Sequence, residues 1–317
     1  MRILFLAHSR LGDAVLSTGL LSHLLDRHPD ARITIACGPV AAGVFARMPN
    51  RERTIIVRKR RWGLHWLPLW AACAGSFWDL VVDLRGSAFS FLVPARRRAI
   101  MRGGRRPGHR LLHLAETLRL TPAPHPVAWW NEEDEATVAP LLPSPSGFLV
   151  LAPTASQRSK MWPAERFVAL AQALTAPDGP MPGAAIGVMA GPGEAERRMA
   201  EPLLAALPQA KDLVGNLPIP ESAALLSRAG LFVGNDSGLM HLAAATGAPT
   251  LGLFGPTPAS QYAPVGPRAQ AVLAKGPPGA TPMVRLSVAD ALAAAKRVLA
   301  MPARPQQAEA LAGTDPA

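Results

Sequence analysis

Two short apolar runs, residues 2–7 and 147–152, set the tightest limit on what this chain can fold into. Each is too short for an ordinary helix and lacks polar alternation, the pattern of a strand buried on both faces of a parallel sheet. After the first run, the loop 8–12 leads into residues 14–25, where Val15, Leu16, Leu20, Leu21, Leu24 and Leu25 recur at helical spacing. Further strands are predicted at 33–37, 55–57 and 80–84. The second run starts the same scheme again: a helix over 163–174, a strand at 185–189, helices over 194–207 and 221–229, a strand at 231–233, a helix over 237–246, a strand at 249–254 and a last helix over 288–299. Strands alternating with helices imply right-handed crossovers and parallel sheets. The expected class is α/β, with two doubly wound, Rossmann-like domains facing across a cleft at the carboxyl ends of their strands. The stretch 122–145, with Pro122, Pro124, Pro126, Pro140, Pro143 and Pro145, is expected to hold the connection. The predicted domains are 1–145 and 146–300, followed by a loose tail over 301–317.

A chain of 317 residues gives each of two domains enough length for its own core. The run 3–7 is too short for a signal peptide, and the apolar stretch 64–84 is broken by His65, Pro68 and Asp79. The expectation is a cytoplasmic protein. Two cysteines, Cys37 and Cys73, give neither a disulfide framework nor metal-site spacing. The net charge of +11 is uneven: residues 1–145 hold 20 Lys and Arg against 11 Asp and Glu, whereas residues 146–317 hold 13 against 11. Arg58, Arg60, Arg61, Arg97 and Arg105 belong to the basic clusters, which suit an anionic partner such as a phosphorylated lipid or a membrane surface. A solvated basic face is the plainer reading. Trp62, Trp66 and Trp70, spaced i, i+4, i+8 beside these arginines, could anchor a helix at a membrane interface or pack it on the first sheet.

Three loops between a strand and a helix carry groups suited to chemistry. In the segment 234–245, backbone N–H groups at a helix start favour a diphosphate; Ser237 adds a hydroxyl, Gly238 allows close approach, and His241 lies one turn in. Alternatively Asp236 or Ser237 caps the helix and His241 is a packed core histidine. In the segment 152–163, Thr154, Ala155 and Ser156 could donate to phosphate and Lys160 could meet charge on a leaving diphosphate; a solvent-exposed lysine in a polar loop is the alternative. In the segment 9–14, Asp13 stands after the first strand. It could be a general base on an acceptor hydroxyl or an N-cap. Glu194, after the strand at 185–189, could bond a ribose hydroxyl or simply begin its helix. The chain has no GxGxxG after the first strand, no GxxxxGK[ST], no GxSxG and no His/Cys cluster, so the markers of dinucleotide redox chemistry, P-loop hydrolysis, acyl hydrolysis and metal binding are missing. No recognised nucleic-acid motif accompanies the positive charge.

Four segments together resemble the heptosyltransferase family of lipopolysaccharide synthesis (glycosyltransferase family 9). Residues 9–13, SRLGD, are similar to its "SxLGD" opening, and 78–86, WDLVVDLRG, to its "fDlvidlqg" strand. Residues 159–167, SKMWPAERF, resemble "K.WP.erf". Residues 236–245, DSGLMHLAAA, with 253–257, LFGPT, resemble "DTG.mHLAAalg.p...lfGpt". The resemblance implies a GT-B architecture and inverting, metal-independent transfer without a cofactor. The implied donor is ADP-heptose or a related nucleotide sugar. The implied acceptor is a lipid-linked lipopolysaccharide core, met at the anionic inner face of the inner membrane; nucleic acid is not a partner. Carried over by position, Asp13 would be the base and Lys160 would contact the donor diphosphate. Ala155 and Ser156 would line the phosphate loop and Asp236 would hold the donor. Ser237, Gly238 and His241 would grip phosphates, Glu194 would meet the ribose, and Leu217 would touch adenine through its backbone. Gly19 departs from the family, which has proline there, and Ser237 replaces a threonine. Transfer of another nucleotide sugar, epimerisation of one, or non-catalytic nucleotide-sugar binding are the alternatives.

Overall fold

The computed structural model describes residues 1–59, 61–104, 106–142 and 147–302. The chain begins with β1 (Arg2–Leu6), α1 (Leu11–Arg27), β2 (Arg32–Cys37), β3 (Arg51–Ile56), α2 (Trp66–Ala74), β4 (Trp78–Asp83) and β5 (Ala95–Ile100). Two short helices, α3 (Arg110–Thr117) and α4 (Glu132–Val138), lead to β6 (Phe148–Ala152), α5 (Ala164–Thr175), β7 (Ala185–Val188), α6 (Glu194–Ala206), β8 (Lys211–Asp212) and α7 (Ile219–Ser227). The chain continues with β9 (Leu231–Asn235), α8 (Gly238–Ala245), β10 (Thr250–Phe254), α9 (Ala259–Tyr262), β11 (Ala269–Leu273) and α10 (Val288–Leu299).

Both sheets are parallel throughout. The first runs β3-β2-β1-β4-β5 and the second β11-β10-β9-β6-β7-β8. In each, the first strand of the unit lies inside the sheet, and the strand order reverses beside it: between β1 and β4 in the first sheet, and between β6 and β9 in the second. These reversals open the crevices where ligands bind in sheets of this kind.

The apolar runs fold as expected: residues 3–6 and 148–152 are fully or almost fully buried. Three hydrophobic clusters follow. One lies between the first sheet and α2, and another between the second sheet and α5, α6 and α10. The largest is shared, running from the inner face of the first sheet through α1, α7 and α8 to the inner face of the second. Gly19, inside α1, is where the connecting segment docks. A Cβ there would lie 2.6 Å from the carbonyl oxygens of Pro124 and His125, and the Val127 N–H donates to Thr18 Oγ1 at 2.8 Å.

The structure corrects several expectations. The strand expected at 55–57 covers Arg51–Ile56. The arginine-rich run over 95–100 is the edge strand β5, and a second edge strand, β11, went unpredicted. The stretch 122–145, expected to hold the connection, also forms a helix, α4, whose Asn131–Asp134 capping box satisfies both partners' backbone N–H groups. The three tryptophans do not share one helix. Trp62 sits before α2 with a positive φ of 58° and is 94% exposed, while Trp66 stacks on Phe89.

Candidate active site

The loops that follow β1, β4, β6 and β9 converge because the first turns of α1 and α8 face each other. A Cβ on Gly12 would lie 2.9 Å from His241 Cδ2, and one on Gly238 would lie 2.7 Å from the Leu11 side chain. Both positions need glycine for this approach. Asp13, Ser237, Gly238 and His241 are thereby brought together from opposite sheets.

Asp13 lies in the first turn of α1 and is not its cap. Arg10 is the N-cap, without a side-chain bond. The Asp13 carboxylate is 3.5 Å from Arg110 Nε, and Arg110 Nη2 donates to His8 Nε2 at 2.8 Å. Burial is the main cause that lowers the pKa of His8, so its ring stays neutral and accepts that proton.

On the other side, Lys160 Nζ is 2.7 Å from Asp236 Oδ2 in a largely buried ion pair. The lysine is therefore no solvent-facing loop residue. Ser237 is the N-cap of α8 by position, yet its hydroxyl makes no capping bond, and its buried Oγ has no partner among the described residues. The same is true of His241 Nδ1. Burial pushes the pKa of His241 down to about 4, against the opposing pull of Asp236 and Asp13. A neutral imidazole, a free hydroxyl and the first N–H groups of α8 all point to an anion or its hydroxyl-bearing neighbour.

Asn235, for which the sequence suggested no role, ties these loops together. Its Oδ1 accepts from the Trp162 N–H at 3.0 Å, and its Nδ2 donates to the Pro153 carbonyl at 2.7 Å. Trp162 Nε1 in turn donates to the Leu286 carbonyl. The residue is buried at the end of β9. Its only sequence signal is an amide next to Asp236 at a strand end.

The remaining predicted residues lie further out. Ala155 is buried in the loop after β6 and Ser156 is exposed beside it. Glu194 begins α6, exposed and paired with Arg198 at 3.1 Å. Leu217 is half-buried before α7, in a loop that packs against the one before α6: a Cβ on Gly215 would meet Pro192 Cα at 3.1 Å. These two follow β7 and β8, on the same edge as Lys160 but away from the strand reversal. Arg58 and Arg61 are exposed between β3 and α2, and Arg97 is exposed on β5. Arg60 and Arg105 lie outside the described residues.

His109 closes the far side. Its Nδ1 accepts the Leu111 N–H, which leaves Nε2–H to donate to the Ala263 carbonyl at 3.0 Å, from the first half of the chain to the second.

The chain is 25% identical over 292 positions to lipopolysaccharide heptosyltransferase 3 of Escherichia coli, covering 78% of this chain and 81% of that protein. It is 25% identical over 307 positions to lipooligosaccharide heptosyltransferase 2 of Haemophilus influenzae, covering 83% and 86%. Its fold matches that of E. coli ADP-heptose lps heptosyltransferase II, with a TM-score of 0.74, 20% identity and coverage of 94% and 98%. The two facing sheets are the GT-B arrangement. The pattern of "Glycosyltransferase family 9 (heptosyltransferase)" matches residues 121–285, more than half of the sequence, and includes the Lys160, Asn235 and Asp236 loops. The chain belongs to this family and is a glycosyltransferase.

Proposed function

We propose that the enzyme transfers a heptose from ADP-heptose to an inner-core acceptor of lipopolysaccharide, a Kdo or heptose unit on lipid A. Residues 1–145 receive the acceptor and residues 146–300 the donor. The observation that carries this reading is the opposition of Asp13, at the start of α1, to the Lys160–Asp236 pair and the open start of α8. The names of the E. coli and H. influenzae relatives supply the sugar and the acceptor class, and the name of the matched fold supplies the nucleotide.

Asp13 takes the proton of the acceptor hydroxyl as its oxygen attacks the anomeric carbon. The bond to the diphosphate breaks on the opposite face, so the configuration inverts. The products are the new glycoside and ADP. Lys160, the Ser237 hydroxyl and the N–H groups around Gly238 receive the charge that grows on the leaving phosphate, and they need no rearrangement to do so. Asp236 holds Lys160 and accepts from donor hydroxyls, while Ala155 and Ser156 line the phosphate loop. Glu194 meets the ribose, and the backbone of Leu217 meets adenine. No metal or cofactor is required by these roles.

Calorimetry with ADP, UDP and GDP tests the reading, with wild type beside Lys160→Ala and Asp236→Ala. ADP-selective binding that both variants weaken, followed by transfer to core-lipid acceptors, is expected. Preference for UDP or GDP would replace the donor. Binding without transfer would make the chain a nucleotide-sugar-binding paralogue.

The acceptor's lipid calls for a membrane face. No helix among the described residues is long and apolar enough to cross a membrane. Trp62, Leu67, Trp70, Phe91 and Leu92 are exposed, and the Trp70 indole donates to the Leu92 carbonyl, which joins α2 to the turn before β5. Arg58 and Arg61 are exposed in the segment that leads into Trp62 and α2, a combination suited to peripheral contact with anionic lipid. Cosedimentation with anionic but not zwitterionic vesicles, lost in Trp62→Ala/Trp70→Ala, is expected on this reading.

A further inference from the structure

The second sheet places its Lys160–Asp236 pair at the strand reversal between β6 and β9. The first sheet has the equivalent reversal between β1 and β4, and two arginines stand over it. Arg85 follows β4, and Arg110 reaches in from α3 to His8, which follows β1.

Arg85 is fixed before any ligand arrives. Its backbone N–H donates to Asp83 Oδ1 at 2.8 Å, and its guanidinium lies on the Trp66 ring, 5.0 Å from the centroid. Its Nη1 is buried and makes no hydrogen bond among the described residues. The nearby Asp83 carboxylate does not take it. That carboxylate already accepts from the Arg85 N–H, the Ser87 N–H and the Ser87 hydroxyl. A guanidinium N–H that is shielded from water and left unmatched is costly unless an acceptor completes it. Across His8, Arg110 makes, among the described residues, one bond to the imidazole and one longer contact to Asp13, which leaves part of its planar fork unmatched there. The His8 ring between them is neutral and adds no acidic group.

We infer that the β1/β4 reversal is an anion subsite, in which Arg85 and Arg110 bind a carboxylate or phosphate that the acceptor carries beside the hydroxyl deprotonated by Asp13. The inference rests on the proposed acceptor role of residues 1–145. Planar, multi-donor recognition of such groups is what arginine does better than lysine. Trp66 sets the plane of Arg85, and Arg110 couples the bound anion to the position of Asp13. The subsite would orient the acceptor rather than take part in bond breaking.

The test is an NMR titration of the full-length, ADP-saturated protein with two probes, free Kdo for the carboxylate and inorganic phosphate for the phosphate. Wild type is compared with Arg85→Gln, Arg85→Lys and the remote control Arg27→Gln. The inference expects saturable binding of one probe, weakened by about tenfold or more in Arg85→Gln, partly restored in Arg85→Lys and unchanged in Arg27→Gln. Whichever probe binds identifies the group. Unaltered ADP affinity shows that Arg85→Gln is folded; if it is not, the Arg85→Lys comparison alone decides. Absence of binding by both probes, or equal binding by wild type and the Arg85 variants, overturns the inference. Saturable, Arg85-dependent binding in a protein that fails to transfer sugar to core-lipid acceptors would uphold the subsite and sink the proposed reaction instead.

Discussion

At the end of β9, Asn235 reaches outwards and binds both ends of the loop that carries Lys160, whereas at the end of β4, the Asp83 carboxylate folds back and serves only its own turn. The two strand ends are topological equivalents, each beside the reversal of its sheet. One cross-ties its neighbours and holds Lys160 and Asp236 in a preformed pair. The other satisfies itself and leaves Arg85 and Arg110 with donors unmatched among the described residues. A leaving diphosphate is the same at every turnover and rewards a rigid cradle. An acceptor built from several sugars and charged groups rewards donors that complete their bonds only when it arrives.

If this contrast is right, removing chemistry on the first side should leave binding on the second intact. Asp13→Ala is expected to lower kcat by about 10²–10⁴-fold with ADP affinity unchanged in calorimetry. Near-normal turnover would remove the base assignment. Lys160→Ala strikes the preformed side, and kcat/KM should fall by roughly 10²–10³-fold together with ADP affinity. Because Asp236 is then left largely buried without its partner, Lys160→Ala/Asp236→Asn should cost less than the sum of the single changes, as a double-mutant cycle would show.

Asn235→Ala tests whether the cradle is tied as described. The loss of two buried hydrogen bonds predicts about 2–4 kcal/mol of destabilisation in denaturant unfolding, and a KM effect for the donor that Asp83→Asn does not share. The most gradual effect expected is that of pH. His241 is neutral in the folded protein, with its pKa pushed down to about 4 from 6.5. The folded chain therefore binds this proton less readily than the unfolded one. Stability from this group is complete above about 6.5 and declines as the pH falls towards 4, by about 3 kcal/mol at most. His8 and His109, whose pKa values burial also lowers, act in the same direction. A flat melting temperature between pH 7 and 5 would contradict the burial of all three.

The sequence made the interior strands and their helices legible because burial on both faces leaves unbroken apolar runs. The edges were hidden for the same reason. β5 has one protected side, so Arg96, Arg97 and Arg98 masked Ala95, Ala99 and Ile100. β11 carries too little apolar surface to announce itself. Asp13, Lys160 and the α8 start could be found because each follows a readable strand. Arg85, His8 and Asn235 gain meaning only once the strand order brings loops far apart in sequence side by side. Asp13 and Ser237 also show how capping statistics mislead, since neither side chain caps its helix.

The shared cluster that runs from one sheet through α1, α7 and α8 to the other has a thermodynamic consequence. Two lobes joined by a flexible strap would melt independently, each with its own heat-absorption peak. Here apolar surface on the facing sides of α1 and α8 loses its covering when either lobe unfolds, so the stability of each lobe is coupled to that of the other. Calorimetry should record one cooperative transition, and a fragment cut between the sheets should behave as a sticky, partly ordered chain rather than as half an enzyme.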